Sequence, residues 1–430
     1  MSFRRILFIA QPFAPHSGSH ATRINGLVEA LSAKGFEIGV LTTSVHRGMA
    51  GLDWSLVEHV SRARVFRSFC GPLHFLSYLL SNRRRRTGRT RPGGAQVRKA
   101  LMVPDPYIEW VPFGLLYATW MRVSRRFEPD LIISSALPYS SHLIALGAKT
   151  LFNCPWIADF GDPWTLEPSV SRGRIRMSLE RKLEARVIHG ADVVTWTTNA
   201  TRDAYARLYP KKATAMHVVR MGFRVKDFSV GGPANRKSPS PITLAYTGRI
   251  TPEHRDGSRF LDLYASLHNF GEYRLVLAGT ELEQLTSMIK ERELPNVRVV
   301  GTLKHSDFIE LLTQSDVLVL LGNASDLQIP GKLFQYIGAR KPILYIKNSP
   351  TNKYDEVQTI LSGSGISHLT VETTGPLNAK AVGDYLVEAA GRRPPSRIAI
   401  ASHSWDQRAD RILELALACK SPSSAVALDD

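Results

Sequence analysis

Only three cysteines occur in 430 residues, Cys70, Cys154 and Cys419, and no two share a CxxC spacing. An odd number set so far apart excludes a disulfide framework and a cysteine-based zinc site, and leads one to expect a cytoplasmic protein. Long apolar runs are missing too. The longest nearly apolar stretch, residues 110–121, covers 12 residues, well short of the ~20 that span a bilayer as a helix. Behind Arg4 and Arg5 the apolar run 6–10 is cut off by Gln11 and Pro12, so it is too short for a signal peptide and reads as a first strand. Acidic residues are scarce in the first quarter, where residues 1–104 hold 16 Lys/Arg against 4 Asp/Glu and so carry +12 of the chain's net +17.

Several catalytic signatures are absent as well. There is no DxD, HExxH, Walker A motif or nucleophile elbow, and no Ser/His/Asp series. A chelated metal is therefore not expected, and a phosphate-bearing ligand would have to be met by helix ends, Arg and Lys.

What is present is ordinary for a folded protein: 43% hydrophobic, 22% charged and 9% aromatic residues, in a length suited to two or three domains at ~150 residues each. Short β-branched runs alternate with amphipathic helical stretches, the pattern of βαβ units and parallel sheets. Strands are expected at residues 6–10, 37–42, 131–134, 156–159, 193–197 and 217–220, then at 242–247, 274–278, 297–300, 317–321 and 343–346. Helices are expected at 24–34, 139–148, 173–189 and 200–208, then at 259–269, 282–292, 306–314, 332–339 and 379–390. A Gly/Pro/Ser-rich stretch at 231–241 divides the two series and reads as a linker. The reading is thus an α/β chain with an amino-terminal domain at 1–230, a carboxy-terminal domain at 242–400, a last helix within 401–419 and a disordered tail at 420–430.

In open α/β sheets ligands bind beyond the carboxyl ends of the strands. Four loops leaving strands therefore carry the candidates. The first contains Gly18-Ser19 at a helix start, where backbone amides can approach a phosphate or sugar. The second is Asp159-Phe160-Gly161-Asp162-Pro163-Trp164, with two carboxylates three apart. In the third, Arg249 follows a strand and Arg255 precedes a helix, each offering a planar donor fork to phosphate oxygens. The fourth, Pro330-Gly331-Lys332-Leu333-Phe334-Gln335, places a free helix N-terminus, a cation and, one turn on, an amide on one face. The run Arg83-Arg84-Arg85-Arg86, followed by Arg89, Arg91, Arg98 and Lys99, suits an anionic partner. Without aromatic-interleaved basic surfaces or a recognised module, nucleic acid is not the expected one.

Taken in order, these segments resemble the retaining glycosyltransferases of family 4, and most closely their bacterial surface-polysaccharide branch. The likeness covers nearly the whole chain and rests on residues 155–164 and 331–336 together with 104–112, 134–143 and Thr247-Gly248-Arg249. The resemblance implies the GT-B architecture, two Rossmann-like domains facing each other across a cleft, with the last helix crossing back to the amino-terminal domain. It also implies a nucleotide diphosphate-sugar as donor, with no separate cofactor, and a glycan or lipid-linked acceptor, while the run Arg83, Arg84, Arg85 and Arg86 is read as the contact with an anionic membrane surface on its cytoplasmic side. By matching position Arg249 and Lys332 hold the diphosphate, Arg255 is a further candidate, Gly18 lets the first loop approach the donor, and Asp159 and Asp162 position hydroxyls. Two positions depart from the family. Gln335 stands where a ribose-gripping Glu is usual, the earlier Glu position falling on Leu327 beside Asp326, and Gly161 stands where a His or Arg is usual. These departures keep a catalytically silent binding or scaffold protein as the alternative.

Overall fold

A computed structural model describes residues 3–46, 49, 51–86, 102–167, 170–229, 241–250, 255–280, 282–349 and 355–419, with the side chains of 80–86 and 284 excepted. The expected linker at 231–241, but for its last residue, the tail at 420–430 and the basic residues Arg89, Arg91, Arg98 and Lys99 lie outside the described residues. The chain forms two compact units, one of Met1–Arg220 with Arg408–Asp430 and one of Met221–Gln407.

In the first unit the elements run β1 (Arg5–Ala10), α1 (Ser19–Ala33), β2 (Glu37–Thr43), α2 (Leu56–His59), β3 (Arg64–Ser68), α3 (Pro72–Arg86), α4 (Trp110–Val123), β4 (Leu131–Ser135), α5 (Ser140–Phe152), β5 (Trp156–Gly161), α6 (Arg174–Gly190), β6 (Val193–Trp196), α7 (Asn199–Leu208) and β7 (Met216–Val218). The seven strands form one parallel sheet in the order β3-β2-β1-β4-β5-β6-β7. Its central strands are covered on both faces, which is why they read as unbroken apolar runs rather than alternating ones. Every residue of β5 is buried, and so are Ile6–Ala10 of β1. Trp110, Trp156, Trp164 and Trp196 have no exposed surface and anchor the core.

In the second unit the order is β8 (Ile242–Arg249), α8 (Ser258–Leu267), β9 (Tyr273–Thr280), α9 (Glu283–Glu291), β10 (Val297–Gly301), α10 (His305–Gln314), β11 (Val317–Leu321), α11 (Lys332–Ala339), β12 (Ile343–Lys347), α12 (Glu356–Ser364), β13 (His368–Glu372), α13 (Ala379–Gly391) and α14 (Arg397–Ala401). Its sheet is again parallel, ordered β10-β9-β8-β11-β12-β13. Leu244, Tyr246, Leu277 and Val319 of the sheet pack with Phe260, Leu263 and Tyr264 of α8 in its core. The last helix, α15 (Trp405–Ala418), belongs from Arg408 onward to the first unit, where Lys34 pairs with Asp410 at 2.7 Å.

β3 and β13 were not expected from sequence. Both are edge strands with a single neighbour, and RVFRS and HLTVE are at most half-covered over most of their length, so neither has the apolar run that marks a central strand. The strand expected at 217–220 is observed one residue earlier, as Met216–Val218. The strand order in each sheet reverses beside its first strand, between β1 and β4 and between β8 and β11. The loops leaving those strands are where such sheets bind ligands.

Candidate functional site

In the second unit the loop after β11 and the start of α11 form one framework. Asn323 accepts two hydrogen bonds from Arg255 at its Oδ1, 3.1 Å from Nε and 2.5 Å from Nη2, and donates through Nδ2 to the Gln328 carbonyl at 3.0 Å. Arg255 also donates to the carbonyl of Arg249 at 3.3 Å. From the end of β12, Asn348 donates to the carbonyls of Gly322 and Asp256, each at 3.0 Å. Ser349 donates to Asp326. Behind them the buried Tyr336 hydroxyl meets both the amide and the hydroxyl of Thr247, at 2.9 and 3.0 Å, tying α11 to the end of β8. This cross-bracing holds the loop in place.

α11 begins at Gly331, where no side chain caps the first amides. The Leu333 amide donates to the Pro330 carbonyl at 3.0 Å, and with no side-chain carboxylate or hydroxyl among the described residues seated there the positive end of the helix dipole favours an anion. The Lys332 ammonium lies 3.9 Å from the centre of the Phe308 ring and has no carboxylate partner among the described residues. Burial, with a lesser contribution from Arg255, pulls its pKa down to about 8. An ammonium held partly desolvated beside another cation gains more from an arriving phosphate than a solvated one does. Gln335 is half-buried, with no hydrogen-bond partner among the described residues. Arg249 is exposed at the end of β8. The structure thus gathers Arg249, Arg255, Gly331, Lys332 and Gln335 at the carboxyl end of one sheet.

In the first unit Asp159 and Asp162 part company. Asp159 has no exposed surface. Its Oδ2 accepts from Arg23 Nε at 2.8 Å and Ser135 at 3.0 Å, and its Oδ1 from Arg23 Nη2 at 2.6 Å and Thr195 at 2.7 Å. Burial alone would raise the Asp159 carboxyl; the Arg23 guanidinium and the hydroxyls outweigh it and hold the carboxyl below its ordinary range. Arg23, itself buried, donates onward to the carbonyls of Val219 and Arg220 at 2.8 and 3.1 Å. The expectation that Asp159 positions substrate hydroxyls is corrected by this geometry. Both its oxygens are already occupied inside the core, where they lock α1, β4, β5 and β6 together.

Asp162 remains half-exposed and faces His20, with 3.5 Å between Oδ2 and Nε2. His20 Nδ1 receives the Leu137 amide at 3.4 Å, so the neutral ring carries its proton on Nε2, toward Asp162. Gly18, with φ +112 and open space around its Cα, begins α1 two residues earlier. Gly161 sits at φ +66, and its carbonyl accepts from Thr197 at 2.6 Å. The left-handed backbone explains the glycine, since a side chain there would be strained.

The rest of the 155–164 segment is structural. Trp164 stacks on Tyr139 at 4.3 Å, and Tyr139 donates to the Pro163 carbonyl at 2.8 Å. Buried Glu184 accepts from the amide and hydroxyl of Thr165 and from Tyr205 and Tyr209, all within 2.8–2.9 Å, while Glu180 joins Trp164, Arg172 and Arg176. In the 104–112 segment Asp105 accepts the amide and hydroxyl of Ser140 at the start of α5, at 2.9 and 2.8 Å. Sequence reading missed His20, Arg23 and Asn323. His20 and Arg23 were legible only as members of the first loop, and nothing in the sequence links Asn323 to Arg255.

Two domain models match consecutive stretches of the chain, a glycosyl transferase 4-like domain over residues 18–222 and glycosyl transferases group 1 over residues 233–344. The chain belongs with the GT-B glycosyltransferases. No curated protein matches it. Among solved structures this glycosyltransferase resembles sucrose-phosphate synthase of Thermosynechococcus elongatus at 17% identity and TM-score 0.64, covering 96% of this chain and 98% of that one. It also resembles a glycosyltransferase of Rickettsia africae (14%, 0.60, covering 98% and 99%) and the Anabaena protein Alr3699/HepE in complex with UDP-glucose (13%, 0.58, covering 96% and 99%). At these identities the likeness speaks for the fold, two α/β domains with parallel sheets of seven and six strands.

Proposed function

We propose that this glycosyltransferase moves a sugar, with retention of configuration, from a nucleotide diphosphate-sugar to a surface-glycan or lipid-linked acceptor. The observation that carries the reading is the N-terminus of α11, without a side-chain cap, and beside it the partly desolvated ammonium of Lys332, which has no carboxylate partner among the described residues. As the glycosidic bond breaks, negative charge develops on the diphosphate. Lys332, Arg249 and the amides from Gly331 onward stabilise that charge, which makes departure of the nucleotide easier. Arg255 keeps the loop in place through Asn323 and adds a third positive charge. The Asp162–His20 pair serves the acceptor, with Gly18 opening the loop before it. No protein nucleophile is assigned, and the proposed chemistry relies on this chain's own cations rather than on a metal. Support for a uridine-type donor comes from the Anabaena neighbour, whose structure holds UDP-glucose. Thermal-shift screening over nucleotide sugars, followed by a turnover assay with the hit, tests the proposal; a hit at ~100-fold its Kd stabilises by ~2.7 kcal/mol. Binding without turnover against any lipid-linked acceptor would favour the silent relative.

Gln335→Glu separates a retuned site from a weakened one. The amide is half-buried without a partner among the described residues, so it is available to a ribose as both donor and acceptor. A carboxylate in its place adds charge next to the diphosphate and loses a donor. Donor affinity is expected to fall roughly 5- to 150-fold, the equivalent of ~1–3 kcal/mol for a buried polar group left unsatisfied. A rise in kcat/KM would show instead that the amide is a defect.

The acceptor's setting would be the inner face of a membrane. No helix among the described residues is long and apolar enough to cross one. α3 exposes Leu73, Phe75, Leu76 and Leu79 and continues as helix through Arg83-Arg84-Arg85-Arg86, whose side chains lie outside the described residues. Phe69 packs on both Phe75 and Phe113, at 6.2 and 5.0 Å, and borders a groove of about 420 Å³ shared with Leu116 and Trp120. Apolar insertion and attraction to anionic headgroups would act together, each basic residue near the surface contributing ~1 kcal/mol. Replacing Arg83, Arg84, Arg85 and Arg86 with Ser is expected to release the protein from anionic liposomes at physiological salt. Co-sedimentation equal to wild type would refute peripheral binding through this helix.

A further inference from the structure

The second unit holds a basic cavity at the end of its sheet opposite the candidate donor site. All six strands run parallel, so Arg249, the loop after β11 and Asn348 share the carboxyl ends, whereas β12 and β13 begin at the other edge with Ile343 and His368. At that edge a cavity of about 500 Å³ opens between the turn after α11, the turn before β13 and the chain leaving α13. This volume falls within the ~300–1,000 Å³ of small-ligand clefts. Its charged lining is Arg340, Arg392 and Arg393, with Ser367, His368 and Tyr385 between them.

The balance of charge is one-sided. Glu388 pairs with Arg392 at 2.5 Å. Arg393 has no ion pair or hydrogen bond among the described residues. Among the described residues the Arg340 side chain donates only to the Pro395 carbonyl, at 3.3 Å, and burial together with nearby Arg397 holds its guanidinium below its ordinary value. Arg397 itself is spent on the carbonyls of Phe228 and Ser229. Cations crowded in this way raise one another's energy, and a bound anion relieves them. The backbone helps to keep them there. α13 ends with Arg392 in an extended conformation, and Pro394-Pro395 fixes the next stretch, because a residue before proline is also confined to extended backbone. His368 is oriented too, its Nδ1 lying 3.0 Å from the Ile366 carbonyl. A carbonyl only accepts, so Nδ1 donates there.

We propose that this cavity is a second anion site, which takes a small phosphate-bearing molecule of nucleotide size through the forks of Arg340, Arg392 and Arg393. Planar guanidinium groups suit phosphate oxygens in pairs; the Ser367 hydroxyl, which accepts from Arg392 at 3.5 Å, can donate to the rest of such a ligand, and the Tyr385 hydroxyl, which donates to the Ile343 carbonyl at 3.3 Å, can accept from it. The site is separate from the donor site in position and residues, so the two can be emptied one at a time.

Inorganic pyrophosphate is the probe, titrated calorimetrically into the full chain. Wild type is expected to bind two equivalents, Lys332→Ala one, and the double variant Arg392→Ala/Arg393→Ala the other one, with at least tenfold loss at the emptied site. Arg393→Ala alone, which breaks no contact among the described residues, is expected to weaken the same equivalent with Tm unchanged. Wild-type binding of both equivalents by the double variant would overturn the proposal. So would a double variant that loses only its affinity for anionic phospholipid vesicles, which would mark this edge as a lipid contact. Failure of the donor reading would look different, with Lys332→Ala binding pyrophosphate as wild type does.

Discussion

Asp159→Ala is expected to destabilise the first unit by about 3–5 kcal/mol, because it leaves the Arg23 guanidinium buried and without its carboxylate. In a unit of this size each kcal/mol shifts Tm by roughly 2–4 °C, so the fall is of order 10 °C. The dependence on acid follows from the same pair. The folded carboxyl lies below its ordinary range, so its contribution to stability is complete above the unfolded pKa, ~3.9, and is lost as pH falls through the lower folded value. Asp162→Asn serves as the contrast. Its partner His20 is partly exposed, and such a pair contributes ~1 kcal/mol at most, so Tm should move by only a few degrees. Thermal and urea unfolding of the two variants decide the matter. If Asp159→Ala unfolded at the wild-type temperature, the buried pair would not be the brace described above. Equal losses in the two variants would deny that the carboxylates differ in role.

Lys332→Ala is expected to weaken nucleoside diphosphate binding about 10- to 150-fold, the range of one charge-assisted contact, while Tm stays near wild type because no salt bridge among the described residues is broken. Arg249→Ala should act in the same direction, and the double variant should nearly abolish binding. pH gives an independent readout. Binding requires the ammonium, whose pKa in the free protein is lowered to about 8 by burial and by Arg255. Affinity should therefore be level below pH 8 and decline above it, approaching tenfold per unit. Lys332→Arg, charged throughout this range, should remove the decline. Calorimetric titration from pH 6.5 to 9.5 would show it, and a flat wild-type profile would take Lys332 out of the diphosphate contact.

How far the sequence could be read differs sharply between neighbouring residues. The central strands β1, β5, β8 and β11 announced themselves as continuous apolar runs, since a strand covered on both faces has no polar side to interrupt the pattern. β3 and β13 stayed hidden because an edge strand has neither the second neighbour nor the cover that writes such a run. Gly331, Lys332 and Gln335 were found together because helical spacing alone carries three residues to one end and one face. Arg255 with Asn323, and His20 with Asp162, are joined across 68 and 142 positions only when the chain folds back on itself. No local pattern encodes such a pairing.

Asp159 and Asp162 mark the boundary most clearly. The sequence determined by itself that the chain is α/β with two parallel sheets, that its cations outnumber its acids, and that one carboxylate ends a central strand while the other follows it. Only the tertiary structure decided what each carboxylate does. One sits inside the sheet near the carboxyl end of β5, where Arg23, Ser135 and Thr195 converge, and the other lies three residues beyond, past the Gly161 turn, half-exposed. Spacing fixes how far apart two carboxylates lie along the chain. Burial and the partners brought by distant segments fix whether a carboxylate is a brace or a contact, because a charge survives in the core only when other parts of the chain supply its counter-charge and hydrogen bonds.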